Sequence, residues 1–111
     1  MPDYVPRKGE FVALTFDPRA GHEQSGRRPA LVVSNDLFNM HTGMCIVCPV
    51  TNTRRVYPFH VPIPEGGVVS GVVMVEQVKS IDFRSRQARR IGAAPDPVLD
   101  EVLSVLDACI Y

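Results

Sequence analysis

The chain has 111 residues, of which 45% are hydrophobic and 22% charged, with 12 basic and 12 acidic side chains. This length suits a single globular domain spanning 1–111, and the composition argues against disordered and fibrous proteins. No apolar run approaches the roughly 18 residues of a membrane span, no export signal opens the chain, and three cysteines leave one unpaired, so we expect a cytoplasmic protein with no membrane contact.

Short strands joined by tight turns dominate the predicted elements, because ten prolines and eight glycines are scattered along the chain. The predicted strands cover 10–16, 30–34, 44–50, 56–63, 68–81 and 86–92. A short helix over 35–41 is expected to begin at a Ser34 cap and to end at Gly43.

The period of the apolar residues changes in the C-terminal tail. After the cap and first-turn pair Asp96 and Pro97, apolar residues recur at helical spacing: Val98, Leu99, Val102, Leu103, Leu106 and Ile110. The predicted fold class is therefore mainly β (α+β): a small, half-open SH3-like β-barrel of about six or seven strands with a C-terminal amphipathic helix and a short helix or two. Loops at one end of such a barrel can bring together polar residues that are distant in sequence.

The cysteines and histidines do not form a pattern typical of a metal or redox site. In an extended strand Cys45 and Cys48 point to opposite faces, so we interpret them, and Cys109 in the C-terminal helix, as core residues. The histidines are too scattered for a metal cluster: His22, His41 and His60. Since Gly-rich phosphate loops and serine elbows are also absent from the sequence, we expect no metal and no cofactor.

Polar residues cluster at the ends of two predicted buried strands. One group precedes 30–34: Glu23, Gln24, Arg27 and Arg28. The other follows 44–50: Thr51, Asn52, Thr53, Arg54 and Arg55. Each group alone is also typical of a solvated loop. However, Arg28 precedes Pro29 and is therefore extended, and a positioned guanidinium beside a strand-end hydroxyl at Thr51 favours an oxyanion site, with phosphate as the obvious ligand.

Four segments then carry a family resemblance: GHEQSGRRPALVVS, TGMCIVCPVTNT, YPFHV and EQVKSIDFRSR. In this order they resemble the signature segments of the MazF/PemK toxins, the endoribonucleases (mRNA interferases) of type II toxin–antitoxin systems. The resemblance implies an SH3-like barrel, a homodimer, sequence-specific cleavage of single-stranded RNA (mRNA) without metal, and inhibition by a cognate MazE-like antitoxin with an acidic C-terminal tail.

The resemblance also implies roles for individual residues. Arg28 and Thr51 occupy the catalytic positions, and Glu23 occupies an acidic position that either orients Arg28 or acts as a base. We expect a further set of residues to contact RNA: His22, Gln24, Arg27, Asn52, Thr53, Arg54, Arg55, Gln77, Lys79, Arg84 and Arg86.

The expected reaction is attack of the substrate 2′-hydroxyl on the adjacent phosphorus, giving a 2′,3′-cyclic phosphate and a 5′-hydroxyl. Arg28 would bind the phosphorane and protonate the leaving oxygen, and Thr51 would donate to a non-bridging oxygen. The base stays open between Glu23 and His22. Two alternatives belong to other classes: a toxin of the same fold that acts on DNA gyrase by protein contact, and a non-catalytic SH3-like nucleic-acid-binding module.

Overall fold

Seven strands and two α-helices make up most of the computed structural model, which describes residues 3–16, 26–53 and 56–111. In chain order the elements are β1 (Glu10–Phe16), β2 (Gly26–Val32), α1 (Asp36–Thr42), β3 (Met44–Thr51), β4 (His60–Ile63), β5 (Gly71–Met74), a 3-10 turn (Val75–Gln77), β6 (Lys79–Asp82), β7 (Arg89–Ala93) and α2 (Asp96–Ile110). Neither described helix is long and apolar enough to cross a membrane.

The sheet curls because its central strand has three partners. The strand order is β4-β5-β3-β2-β1-β7, and β6 pairs with β3 outside this path. The first half of β3 pairs with β6 through Met44–Val47, and its last two residues pair with β5 through Val50 and Thr51. A long strand that passes from one partner to another must twist, which closes the sheet into a half-barrel. The predicted mainly-β half-open barrel with a C-terminal helix is confirmed.

Two apolar cores lie on the two faces of this sheet. Alternation along β3 sends Cys48 and Val50 to the first core, where they meet Val98 and Val102 of α2. The opposite core includes Cys45 and other inward residues of the first three strands: Val12, Leu14, Ala30, Val32 and Val47. Each fully buried valine or leucine contributes about 1.5–3 kcal/mol, so these two layers provide most of the packing energy.

The cysteine predictions have different outcomes. Cys45 and Cys48 are fully buried in opposite cores, as the strand period predicts. The prediction that Cys109 is a core residue is wrong, because its side chain is exposed. Ile110, which also continues the apolar stripe, is exposed as well. The last turn of α2 therefore extends beyond the sheet that covers its first turns.

Several element boundaries also differ from prediction. α1 is capped by Asn35, whose side chain accepts from the Phe38 amide at 2.8 Å. Ser34 is buried instead, and its hydroxyl accepts from the Ile46 amide at 2.8 Å, which explains why it does not cap the helix. Gly43 ends the helix as predicted, in the left-handed region at φ 71°.

The two longest predicted strands are interrupted. In 56–63 a turn closed by the His60 amide and the Tyr57 carbonyl at 3.0 Å delays β4 until His60. In 68–81 the 3-10 turn at Val75–Gln77 separates β5 from β6. This turn buries Val75 while the chain moves from one end of β3 to the other, which apolar periodicity alone does not reveal.

Candidate functional site

The pairing of β2 with β3 brings Arg28 and Thr51 to the same end of the two strands. Ala30 pairs with Pro49, Leu31 with Cys48 and Val32 with Val47. Arg28 and Thr51 each lie two residues beyond the Ala30–Pro49 pair, and strand alternation places both on the face that buries Ala30 and Val47. The guanidinium and the hydroxyl thus lie where this face of the sheet reaches the protein surface.

A groove of about 380 Å³ lies at these two strand ends. Its lining consists of Arg27, Arg28, Pro29, Val50, Thr51, Asn52 and Thr53. Arg28 and Thr51 are both half-buried, so each is held by its surroundings while part of its side chain faces the groove. The strand-end pattern in the sequence predicted this convergence, and the structure brings the two side chains to one cleft.

The polar groups of the groove are suited to holding an oxyanion. The Thr51 hydroxyl oxygen accepts from the Thr53 amide at 3.2 Å, which leaves its O–H as a donor for a ligand. The Arg28 guanidinium adds planar donors that match two oxygens of a phosphate. Among the described residues that line the groove, none carries a carboxylate, an imidazole or a thiol. The described lining therefore favours anion binding over cation binding.

Gly71, in the neighbouring strand β5, packs directly against the backbone of Thr51. Its φ of 112° lies in the region that glycine favours, and a Cβ built there would stand 2.2 Å from the Thr51 carbonyl oxygen. Only a residue without a side chain permits this approach. The position of Thr51 therefore depends on a glycine in the neighbouring strand as well as on its own strand.

Arg27 binds its own protein rather than presenting a fully available cation. Its Nη1 donates to the Thr15 hydroxyl at 2.9 Å, and its Nη2 donates to the carbonyl oxygens of Ala13 at 2.9 Å and Gln87 at 2.6 Å. These contacts join the start of β2 to β1 and to the turn before β7. Arg27 therefore fixes the strand that carries Arg28.

The other predicted RNA-contacting residues fall into three groups. Asn52 and Thr53 line the groove, and Gln77 lines a pocket beside it. Three lie outside the described groove lining and contact other groups: Arg84 pairs with Asp3 at 3.2 Å, Arg86 donates to the Thr15 carbonyl at 3.4 Å, and Lys79 lies over the Phe16 ring at 4.9 Å. Five predicted site residues lie outside the described residues: His22, Glu23, Gln24, Arg54 and Arg55.

A second pocket, of about 410 Å³, adjoins the groove, and the sequence analysis did not predict four of its lining residues: Tyr57, His60, Met74 and Glu76. Its lining consists of Thr51, Thr53, Tyr57, His60, Met74, Glu76 and Gln77. His60 Nε2 lies 3.1 Å from Glu76 Oε2, and His60 Nδ1 is buried with no hydrogen-bond partner among the residues that the structure describes. The pairing of β4 with β5 brings these residues together, and no local motif in the sequence signals that pairing.

The buried cysteines do not act as nucleophiles in the resting protein. Burial raises the pKa of the Cys45 and Cys48 thiols to about 12, so both are protonated at neutral pH. Within the described ranges, no three histidine, cysteine, aspartate or glutamate side chains come together as metal ligands. The chemistry of the described site therefore centres on the groove.

Known proteins resemble this chain in sequence and in fold. A sequence model described as a PemK-like, MazF-like toxin of type II toxin–antitoxin systems matches residues 7–110. The Escherichia coli K12 endoribonuclease toxin ChpB is 46% identical, covering 93% of this chain and 92% of its own, and the endoribonuclease toxin MazF of the same strain is 38% identical, covering 96% of each. The MazE–MazF structure (Form-II) from Deinococcus radiodurans is 48% identical with a TM-score of 0.90, covering 97% of each chain. On this similarity across nearly its whole length, the chain belongs to the PemK/MazF-like toxin family of type II toxin–antitoxin systems.

Proposed function

We propose that the groove between Arg28 and Thr51 is the catalytic site at which this toxin, an endoribonuclease, cleaves single-stranded RNA. Relatives named as endoribonucleases are 36–46% identical to this chain over most of its length. The observation that carries the proposal is the shared groove, which is lined by half-buried Arg28 and by Thr51, whose hydroxyl accepts from the Thr53 amide and so retains its O–H as a donor. Such donors stabilise the negative charge of a phosphorane.

The proposed reaction uses the nucleophile of the substrate itself. A base removes the proton from the ribose 2′-hydroxyl, the O2′–P bond forms, and the P–O5′ bond breaks as the leaving O5′ takes up a proton. The products are a 2′,3′-cyclic phosphate and a 5′-hydroxyl. Glu23 and His22 are the two candidates for the base. The alternative role for Glu23 is to orient Arg28.

Arg28 and Thr51 stabilise different oxygens of the transition state. The Arg28 guanidinium binds the phosphorane through two parallel hydrogen bonds and supplies the proton to O5′. The Thr51 hydroxyl donates to a non-bridging oxygen of the phosphorane. Its own oxygen accepts a hydrogen bond from the Thr53 amide, 3.2 Å away. Neither contact requires a cation, so we propose that cleavage is independent of metal and of any cofactor. DNA lacks the 2′-hydroxyl and is not a substrate.

We further propose that this toxin acts as a homodimer in the cytoplasm, recognises a short RNA sequence, and is inhibited by a cognate MazE-like antitoxin with an acidic C-terminal tail. The structures that resemble it include MazE–MazF complexes. An acidic segment is electrostatically suited to this chain, in which ten of the 12 basic residues are arginines and four of the 12 acidic residues lie after position 95. Such a segment would occupy the groove in place of RNA.

A single assay tests the proposed function. Purified protein is incubated in EDTA with a long transcript and, separately, with DNA of the same sequence, and the product ends are mapped and characterised. We expect discrete RNA fragments with 5′-hydroxyl and cyclic phosphate ends, intact DNA, and no cleavage by a folded Arg28→Ala variant. RNA that is retained without being cut would overturn the proposal in favour of a binding module, and cleavage that requires added metal would overturn the mechanism.

A further inference from the structure

Beside the catalytic groove, the second pocket contains a carboxylate held by a buried histidine. We propose that this pocket, formed around Tyr57, His60 and Glu76, binds the nucleobase next to the scissile phosphate and selects a base that carries an exocyclic amino group. This inference rests on the proposed function, because it assigns a specificity subsite to the same RNA-cleaving groove.

The pocket and the groove share a wall. Thr51 and Thr53 line both of them, so a phosphate bound at Thr51 has the pocket as its immediate neighbour. At about 410 Å³ the pocket accommodates a planar base. A nucleotide whose phosphate lies at Thr51 can therefore place its base between Tyr57 and Glu76 without leaving the groove.

His60 fixes the orientation of Glu76. The His60 side chain is only 9% exposed, and its Nε2 lies 3.1 Å from Glu76 Oε2. Because a carboxylate oxygen only accepts, Nε2 carries the hydrogen and donates it to Glu76. The other ring nitrogen, Nδ1, is buried without a partner among the described residues. A histidine buried with one unsatisfied nitrogen is a poor packing residue, which supports a role in holding the carboxylate.

Glu76 remains accessible to a ligand. Its side chain is 29% exposed, and one carboxylate oxygen binds His60 while the carboxylate has further lone pairs for other donors. A fixed acceptor of this kind attracts the amino group of cytosine, adenine or guanine and repels the O4 carbonyl of uracil. The cleanest discrimination is between cytosine and uracil, which differ at position 4 by a donor and an acceptor.

Tyr57 supplies the surface on which a base can stack. The residue is 42% exposed, and its ring and that of His60 pack edge to face with centroids 4.8 Å apart. Stacking on an aromatic side chain binds any base, so Tyr57 contributes affinity while Glu76 contributes selection. Gln77, which lines the same pocket, adds an amide at its rim.

The test compares wild-type protein with Glu76→Gln. The cleavage sites of wild-type protein are first mapped on a long transcript, and the position flanking the cut that excludes uracil is identified. Two oligoribonucleotides are then built on the best site, with cytosine or uracil at that position and a 2′-deoxy nucleotide at the cut so that neither is cleaved. We expect wild-type protein to bind the cytosine oligonucleotide at least about 10-fold more tightly. We expect Glu76→Gln to reduce that ratio below about 3-fold, because an amide can donate to O4 of uracil.

The control is Glu101→Gln, which removes the same charge from an exposed position on α2. It should retain the wild-type ratio. Equal preference of wild-type protein for the two oligonucleotides, or an unchanged ratio in Glu76→Gln, overturns the subsite. A third outcome also overturns it: folded Glu76→Gln binds both oligonucleotides more weakly by the same factor. Glu76 would then contribute to affinity but not to the choice of base. Failure of the proposed function is distinguishable, because wild-type protein would then cut no RNA at the mapping step.

Discussion

Arg27 and Arg28 are neighbours in β2, yet the structure gives them different surroundings. Arg27 donates three hydrogen bonds to Thr15, Ala13 and Gln87, and so joins parts of its own chain. Arg28 is half-buried at the groove that it shares with Thr51. Both arginines line the groove, but successive residues of a strand point to opposite faces, so the position along β2 gives Arg27 contacts within the protein and leads us to propose only Arg28 as catalytic.

The largest expected effect comes from Arg28. We expect Arg28→Ala to lower the cleavage rate by about 10²–10³-fold while the protein stays folded, because one donor to the transition state is lost. Arg28→Lys should recover little, since an ammonium cannot form two parallel hydrogen bonds to a phosphate. Single-turnover rates on a mapped RNA site, with circular dichroism to check folding, measure both. A wild-type rate from Arg28→Lys would contradict the bidentate role.

Thr51 should be nearly as sensitive, and its conservative variant is more informative. We expect Thr51→Ala to lose about 10²-fold in rate through loss of the donor to the non-bridging oxygen. Thr51→Ser keeps the hydroxyl and its contact with the Thr53 amide, so its rate should stay within about 10-fold of wild type. The same single-turnover assay applies. Equal losses in the two variants would show that the methyl group, and not the hydroxyl, matters.

Arg27 should behave in the opposite way. We expect Arg27→Gln to lower the free energy of unfolding by about 1–2 kcal/mol, because exposed hydrogen bonds of this kind contribute modestly, and to change the cleavage rate by less than about 10-fold. Urea denaturation and the rate assay measure the two effects. Arg84→Gln is the matched control, since the side-chain contact that it breaks among the described residues is an exposed pair with Asp3, and it should leave stability nearly unchanged. A large rate loss without destabilisation would place Arg27 on the RNA.

The smallest expected difference concerns salt. If Arg28 binds a phosphate and Arg27 does not, Arg28→Gln should reduce the slope of log binding constant against log salt by about 0.7, the value for one phosphate of a single strand, and Arg27→Gln should leave it unchanged. Titrations of an uncleavable RNA at four or five salt concentrations provide the slopes. Equal reductions in the two variants would remove the distinction between the two arginines.

The sequence predicted the parts of this molecule that depend on local period and on strand ends. The strand at Glu10–Phe16, the helix end at Gly43, and the opposite burial of Cys45 and Cys48 follow from alternation and turn chemistry. The meeting of Arg28 with Thr51 follows from two polar strand ends on one barrel. The first three of these features need no knowledge of which strands pair, whereas the meeting of Arg28 with Thr51 also requires β2 to lie beside β3.

Other features depend on pairing that the sequence does not encode locally. The Tyr57, His60 and Glu76 pocket forms because β4 pairs with β5 and a 3-10 turn follows. The bonds of Arg27 involve the Gln87 carbonyl, 60 positions away. Cys109 follows the apolar stripe of α2 and is still exposed, since the period of a helix does not show where the surface beneath it stops.

The close approach of Gly71 to Thr51 has a consequence for how this toxin tolerates change. A methyl group at position 71 would collide with the Thr51 carbonyl oxygen, at 2.2 Å, so even alanine must displace the strand that carries Thr51. Glycine therefore has no ready replacement at this position. When toxin variants are selected for survival of the host cell, we expect every replacement of Gly71 to be among the inactive variants.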